Sequence, residues 1–489
     1  MKILLLLPPS EGEVTEFNAA NYIISDFAHY PPLGLLAIAT GIDPKHTVKV
    51  LDSVTKKMSI DEVMEQIKDF NPDLLGLSVV SRRLFPTYEV FRRTKEILPN
   101  TTIIAGGPHI NDFPIETMEG AEIDFAISGY AETSFPQFVE ALEQGESSLE
   151  YFEKVPGLCY RVGDEIRHNP EEEVPLVLDD LPFPKRDLVN LQDYFTASDK
   201  VGMTTLYTSR GCPYKCTFCD VQDKTYHYRS AKSIVDEFEY IISLGIKEIH
   251  IFDDTFNMGL KRVREMCEEI IRRGVKVSWS ARVRAHPFDR ETLSIMQKSG
   301  CVRLSCGVES LHPESLKNMK KKVTLDHIKE FFTICRDLKI EVLAYFIIGF
   351  PEEDAEYRKT FYREIQNLKP SYLQLAVLYP LALTPFYNDL LASGWYKKDH
   401  WAEFFKNPTR DYNIPACRPA ELQYELLEIM DKVFRKFYLS PKFVIKDLMR
   451  TPDLKLLWHK VKLAMILLLV DSRKTHSKDP QRAVLEGQT

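Results

Sequence analysis

Thr204-Thr205-Leu206-Tyr207-Thr208-Ser209-Arg210-Gly211-Cys212-Pro213-Tyr214-Lys215-Cys216-Thr217-Phe218-Cys219 is the stretch on which the reading of this chain turns. Thr204–Thr208 has the β-branched and apolar content of a strand. A glycine then leads into three cysteines separated by three and by two residues. Three thiolates this close can wrap one face of a compact iron–sulfur cluster, and a cubane of about four irons then keeps one iron open for chemistry. A structural zinc ion normally takes a fourth protein ligand. His227 is the nearby candidate for that place, but an isolated loop histidine is more often simply exposed. The remaining cysteines, Cys159, Cys267, Cys301, Cys306, Cys335 and Cys417, are scattered, mostly in apolar runs where a thiol behaves as a small hydrophobe.

Outward from this stretch the chain alternates. Strand-like runs at Thr204–Thr208, Glu248–Phe252, Val277–Ala281, Arg303–Gly307, Val342–Ile348 and Tyr372–Leu378 are interleaved with helix-like segments such as Ile234–Leu244 and Leu325–Leu338. That series predicts a partial (β/α)6 barrel with its chemistry in the loops after the strands. Residues 1–145 show the same rhythm, with runs at Lys2–Leu7, Thr47–Leu51, Leu74–Val79, Thr102–Ala105 and Phe125–Ile127. Continuous apolar strands between helices such as Ile60–Phe70 and Thr87–Leu98 predict a doubly wound, Rossmann-like α/β domain covered on both faces. Ligands of such domains lie at the carboxyl ends of the strands. Gly106-Gly107-Pro108-His109 follows one of them, either as a close backbone approach to a bound group or as a plain tight turn. Residues 146–200, with Asp179-Asp180-Leu181-Pro182-Phe183-Pro184, read as an ordered linker. Residues 401–489 read as helical.

The 489 residues correspond to about three domains. A hydrophobic fraction of 44% with 27% charged residues excludes a disordered or fibrous chain. The net charge of −8 argues against a general nucleic-acid binder. The exception is the stretch Lys432 to Lys462, with nine basic and two acidic residues interleaved with Phe434, Phe437, Tyr438, Phe443 and Trp458. Such a segment either lies on an anionic membrane surface or is a solvated face packed on the barrel. The longest uncharged apolar run there, Leu463 to Val470, is eight residues, short of the roughly 18 needed to span a bilayer. The run Ile3–Leu7 reads as a first buried strand rather than a signal-peptide core. Three crowded cysteines among nine indicate a reducing compartment, and so the cytoplasm.

The C-x3-C-x2-C element after a first barrel strand resembles the radical S-adenosylmethionine superfamily, and later segments match in order. These are Phe252-Asp253-Asp254-Thr255-Phe256, Gly307-Val308-Glu309-Ser310, Phe346-Ile347-Ile348-Gly349-Phe350-Pro351-Glu352, and Tyr379-Pro380 with Thr384-Pro385. The resemblance implies that Cys212, Cys216 and Cys219 ligate a 4Fe-4S cluster. It also implies that S-adenosylmethionine meets Phe218, Asp253, Asp254, Glu309, Ser310, Ile348 and Gly349, with Arg210 and Arg282 either steadying its carboxylate or pairing with surface acids. Reductive cleavage would then give a 5′-deoxyadenosyl radical, with electrons from a donor such as flavodoxin or ferredoxin.

Residues 1–145 are similar to the cobalamin-binding domain that precedes the barrel in one large subfamily, through Tyr30-Pro31-Pro32-Leu33-Gly34-Leu35, Ala105-Gly106-Gly107-Pro108-His109 and Ser128-Gly129-Tyr130-Ala131-Glu132. Ser78, Gly106 and Gly107 are the residues implied to meet cobalamin. Cobalt-ligating domains carry D-x-H-x-x-G, whereas this chain reads Asp52-Ser53-Val54-Thr55-Lys56-Lys57. Val54 replaces the histidine, so bound cobalamin would lack a protein ligand. The resemblance divides the chain into a cobalamin-binding-like domain at 1–145, a linker at 146–200, a radical barrel at 201–400 and a basic helical region at 401–489. It implies C-methylation of an unactivated carbon in a small molecule or lipid. Ring closure or carbon–carbon bond formation on a lipid or tetrapyrrole is the alternative, and a non-catalytic sensor is a third reading.

Overall fold

A computed structural model describes residues 1–14, 28–145, 148–171, 177–196, 202–221, 223–410, 412–450 and, further on, 457, 458, 460, 461, 464 and 465. The chain divides into two compact units. The first combines Met1–Thr15, Pro31–Leu191 and Asp399–Ile414, and the second combines Glu16–Tyr30, Gln192–Lys398 and Pro415–Thr489.

The first unit is built on β1 (Lys2–Leu7), β2 (Thr47–Asp52), β3 (Leu74–Ser78), β4 (Thr102–Gly106), β5 (Phe125–Ile127), β6 (Leu158–Val162) and β7 (Glu165–His168). Their spatial order is β2-β1-β3-β4-β5-β6-β7. The first five run parallel, and β6 and β7 close the sheet antiparallel. Ile3, Leu4, Leu5 and Leu6 are all fully buried. Successive strand residues point to opposite faces, so both faces of β1 are covered, as the unbroken apolar run predicts. Ile3 and Leu5 join a core with Leu35, Leu36, Phe135 and Phe138. The helix Ile60–Phe70 starts on a capping box between Ser59 and Glu62 and ends at Asn71 in the left-handed conformation, satisfying the amide and carbonyl groups that a helix leaves open at its ends.

The second unit holds six parallel strands, β8 (Met203–Leu206), β9 (Glu248–Ile251), β10 (Ser278–Arg284), β11 (Cys301–Glu309), β12 (Glu341–Ile348) and β13 (Tyr372–Val377), adjacent in chain order. A helix follows each strand, as the alternation predicts for a partial (β/α)6 barrel.

Two expectations need correction. The stretch 146–200 is more than a linker, because it contains the β6–β7 hairpin that completes the first sheet. Its polar residues, Arg161 and Glu165–His168, weaken the apolar signal that marks buried strands. The stretch 401–489 is not a single region. His400–Lys406 packs in the first unit, where Phe405 lies against His109 and Phe113. Ala420–Tyr438 packs on β13, where the Tyr438 hydroxyl accepts from the Leu373 amide at 3.1 Å. This part of the basic segment is therefore a packed face. Apart from residues 464 and 465, the run Leu463 to Val470 lies outside the described residues, as does most of the segment after Arg450.

Candidate functional site

The cysteine loop begins where β8 ends, and the neighbouring strand ends hold it in place. Asp253, at the end of β9, is fully enclosed. It accepts the Thr208 amide at 2.7 Å, the Ser209 hydroxyl at 2.6 Å and the Thr208 hydroxyl, with Arg262 at 3.8 Å. Asp254 accepts the Gly211 amide at 3.1 Å. Gly211 is left-handed at φ 78°, and a Cβ there would collide with the Thr225 carbonyl. Beyond it the Thr217 amide donates to Met319 at 3.1 Å, the Thr217 carbonyl accepts the Phe386 amide at 2.9 Å, and Phe218 meets Phe350 edge-on at 6.1 Å. The carboxyl-end loops of β9, β11, β12 and β13 thus all touch this one segment.

Cys216 is buried, and Cys212 and Cys219 are partly so. Burial pushes the Cys219 thiol up to about 11, with the charges of Cys216 and Cys212 adding to the shift. Among the described residues no three His, Cys, Asp or Glu side chains converge on a single metal-ion position. The donor set fits a cluster, whose thiolates bind different irons. Of the other cysteines, Cys159, Cys267, Cys301, Cys306 and Cys335 are buried, as expected of core hydrophobes, and Cys417 is partly so; burial raises Cys267 and Cys306 to about 12 and Cys159 to about 11.

The residues named for S-adenosylmethionine separate into two groups. Phe218, Asp254 and Glu309 keep solvent access, whereas Asp253, Ser310 and Ile348 are enclosed. Crowding by the surrounding protein raises the Asp254 carboxyl pKa despite the Gly211 hydrogen bond. Glu309 stands in the left-handed region at φ 65°, an arrangement that costs a non-glycine residue about 1–3 kcal/mol and collects at functional sites. Lys321, itself buried, holds its carboxylate at 2.7 Å. The Asp253 oxygens are taken by the start of the cysteine loop, so this residue positions that loop. The Ser310 hydroxyl donates to Glu353 at 2.7 Å. Glu353 in turn accepts the Gly349 amide at 2.6 Å and the Phe350 amide at 3.2 Å. Burial raises the Glu353 pKa, against these hydrogen bonds. Gly349 has φ 103°, and its carbonyl accepts from Arg418. Of the two arginines left open by the sequence, Arg282 lies over the Phe252 ring at 3.6 Å and Arg210 over Tyr207 at 5.9 Å.

Sequence reasoning missed Lys321, Glu353, Arg418 and Arg284. Glu353 carried one usable signal, an acid just past a Gly-Phe-Pro turn whose amides need an acceptor. Nothing in the local sequence marks the other three.

In the first unit the strand order is that of the flavodoxin-like sheet, whose ligand crevice opens where the order reverses, between β1 and β3. Ser78 ends β3 and pairs with Gly106, which ends β4. Gly107 has φ 96°, and a Cβ there would stand 2.8 Å from Ser78 Oγ and 2.9 Å from the Val79 amide. Glycine is therefore required at 107 both by its backbone conformation and by the close approach of the end of β3. On β2, Asp52 Oδ1 accepts the Val54 and Thr55 amides at 3.1 and 3.0 Å, and its buried Oδ2 has no partner. Lys57 takes φ 52° at the position of the motif's glycine, so the turn persists without that residue.

His109 closes this end, enclosed by Phe113 and Phe405 with Nδ1 at 3.0 Å from the Ser81 hydroxyl. Burial lowers its pKa to about 3. The unfolded imidazole takes up a proton near pH 6.5 while the folded one stays neutral, so stability is complete above 6.5 and falls as the pH drops towards 3. Between those limits one proton costs about 1.4 kcal/mol per pH unit. Urea melts at pH 6.5 and 5.5 should show that loss in the parent and not in His109→Phe; equal losses in both would contradict it.

The comparisons with known proteins agree with this geometry. Residues 206–365 match the Radical SAM superfamily model, and residues 23–139 match the B12 binding domain model. An uncharacterized methyltransferase of Pyrococcus horikoshii is 28% identical, over 92% of this chain and 95% of its own. The anaerobic magnesium-protoporphyrin IX monomethyl ester cyclase of Cereibacter sphaeroides is 26% identical over 80% of this chain, which spans 64% of the cyclase. The solved structure of the cobalamin-dependent S-adenosylmethionine radical enzyme OxsB, with aqua-cobalamin and S-adenosylmethionine bound, shares the fold. Its TM-score is 0.67 at 16% identity, over 95% of this chain and 71% of that one. The cofactors that belong with these two domains are a 4Fe-4S cluster, S-adenosylmethionine and cobalamin. With its three-cysteine loop on the first of six barrel strands and a B12 binding domain ahead of it, this chain is an enzyme that belongs to the radical SAM superfamily.

Proposed function

We propose that this enzyme transfers a methyl group to an unactivated carbon of a small, largely apolar molecule. One observation carries the reading: the same chain holds a three-thiol loop pinned by four strand-end loops and, in its B12-binding unit, a tight Gly106-Gly107 turn at the carboxyl end of β4 and a β2 turn in which Val54 replaces the histidine. When bound, the cluster with S-adenosylmethionine supplies a carbon-centred radical oxidant, and cobalamin supplies a transferable methyl group. The chain's own residues bind and orient. Cys212, Cys216 and Cys219 hold the cluster, and Asp253 and Asp254 fix the entry to their loop. Asp254 and Glu309 offer acceptors to the amino and ribose groups of S-adenosylmethionine, and the apolar end of β12 at Ile348 and Gly349, with Phe218, flanks the adenine. Ser78, Gly106 and Gly107 receive the corrinoid. Electrons come from an external reductant of the flavodoxin or ferredoxin type.

Product stoichiometry tests this reading. Methylation yields S-adenosylhomocysteine and 5′-deoxyadenosine together; 5′-deoxyadenosine with a ring-closed product and no S-adenosylhomocysteine would overturn it. The similarity to the Cereibacter sphaeroides cyclase favours that second reading, radical ring closure on a tetrapyrrole or lipid.

The basic helix Pro441–Arg450 supports collection of an apolar substrate at an anionic bilayer. Ile445, Leu448 and Met449 are exposed on it at 59%, 49% and 83%, among Lys442 and Lys446. No helix among the described residues is long and apolar enough to cross a membrane. Sedimentation with phosphatidylglycerol vesicles is expected to fall at least fivefold in Ile445→Ser/Met449→Ser; equal sedimentation of both proteins returns the helix to a structural role.

A further inference from the structure

Arg284 is a buried cation, 7% exposed, at the last position of β10. Its backbone is clamped by Asn257, which accepts the Arg284 amide at 3.0 Å and donates to its carbonyl at 3.1 Å. The guanidinium carbon lies over the ring of Tyr214 in the cysteine loop, 3.7 Å from the ring centre. One Nη donates to the Lys321 carbonyl, the other lies 3.8 Å from the Cys216 sulfur, and Nε is buried without a partner. Among the described residues no carboxylate pairs with it. A buried charge left without a counter-charge is strongly unfavourable, so the fold keeps this one for an anion other than a carboxylate. Three thiolates around a cluster are such an anion, and it becomes more negative on reduction.

We infer that Arg284 is a positioning residue that donates an N–H···S hydrogen bond to Cys216 and, through its charge, raises the reduction potential of the cluster. This rests on the cluster reading of the three cysteines. Hydrogen bonds to sulfur and local net charge are the means by which a protein sets such potentials. Tyr214, two residues before Cys216, supports the guanidinium with its ring.

The test uses the full chain labelled with 15N-arginine, reconstituted anaerobically with iron and sulfide and reduced without S-adenosylmethionine. Pulsed EPR is expected to show a weak 15N coupling that disappears in Arg284→Lys. Arg284→Gln is expected to retain its iron and to shift the ratio of oxidised to reduced cluster at least tenfold towards oxidised at fixed poise, about 59 mV for one electron. A four-iron spectrum without 15N coupling overturns the inference, as does an unchanged potential in an iron-replete Arg284→Gln. If that variant loses its cluster, the coupling in the unmodified protein decides. A parent protein with no four-iron signature refutes the cluster reading itself, a different result from either of these.

Discussion

Asp253→Ala is expected to cost the second unit about 3–5 kcal/mol and to leave it unable to hold iron. The carboxylate is fully enclosed and accepts from the Thr208 amide, the Thr208 hydroxyl and the Ser209 hydroxyl, with the Arg262 guanidinium beside it. Removing it leaves these donors and a buried cation unmatched, and the full desolvation penalty of each remains. The effect reaches function because the bonds fix the two residues from which the chain turns into Gly211 and Cys212. Asp253→Asn still accepts hydrogen bonds without the charge and should retain a larger share of both stability and iron. Urea melts with iron counted per chain check the prediction; an Ala variant as stable and as iron-rich as its parent would refute it.

Gly107→Val should separate the two halves of the enzyme. The side chain would enter a backbone conformation that only glycine adopts freely, with its Cβ against Ser78 Oγ and the Val79 amide at 2.8 and 2.9 Å. Strain of about 1–3 kcal/mol and overpacking of about 1–3 kcal/mol together predict a loss of roughly 3 kcal/mol or more in the first unit. The variant should take up no hydroxocobalamin yet keep the iron content of the second unit, because the cysteine loop and its supports lie entirely there. A corrin absorbance equal to that of the parent would show that Gly107 does not line the corrinoid site.

Strands buried on both faces are legible because they are unbroken apolar runs. The runs read at Lys2–Leu7 and Phe125–Ile127 coincide with β1 and β5, and the barrel strands differ only at their ends. The β6–β7 hairpin was not legible, because an edge strand such as Glu165–His168 is polar and its exposed residues give no period. The cysteines could be read because ligand spacing is local. Arg284 and Arg418 could not, since their partners Cys216 and the Leu378 carbonyl lie 68 and 40 positions away, and Lys321, which pairs with Glu309 twelve positions off and faces the Phe218 ring, follows no helix or strand period. Asp253 and Ser310 show the converse limit. A motif places a residue at a strand end without saying whether its oxygen faces a ligand or the protein, and here both face the protein.

The central claim is that Cys212, Cys216 and Cys219 leave one iron of a cubane open to S-adenosylmethionine. EPR of the dithionite-reduced protein, recorded with and without S-adenosylmethionine, tests it most directly. The reduced protein is expected to give the S = 1/2 signal of a four-iron cluster, with g values that move when the nucleotide is added. A signal that stays put, or no four-iron signal at all, would contradict the claim.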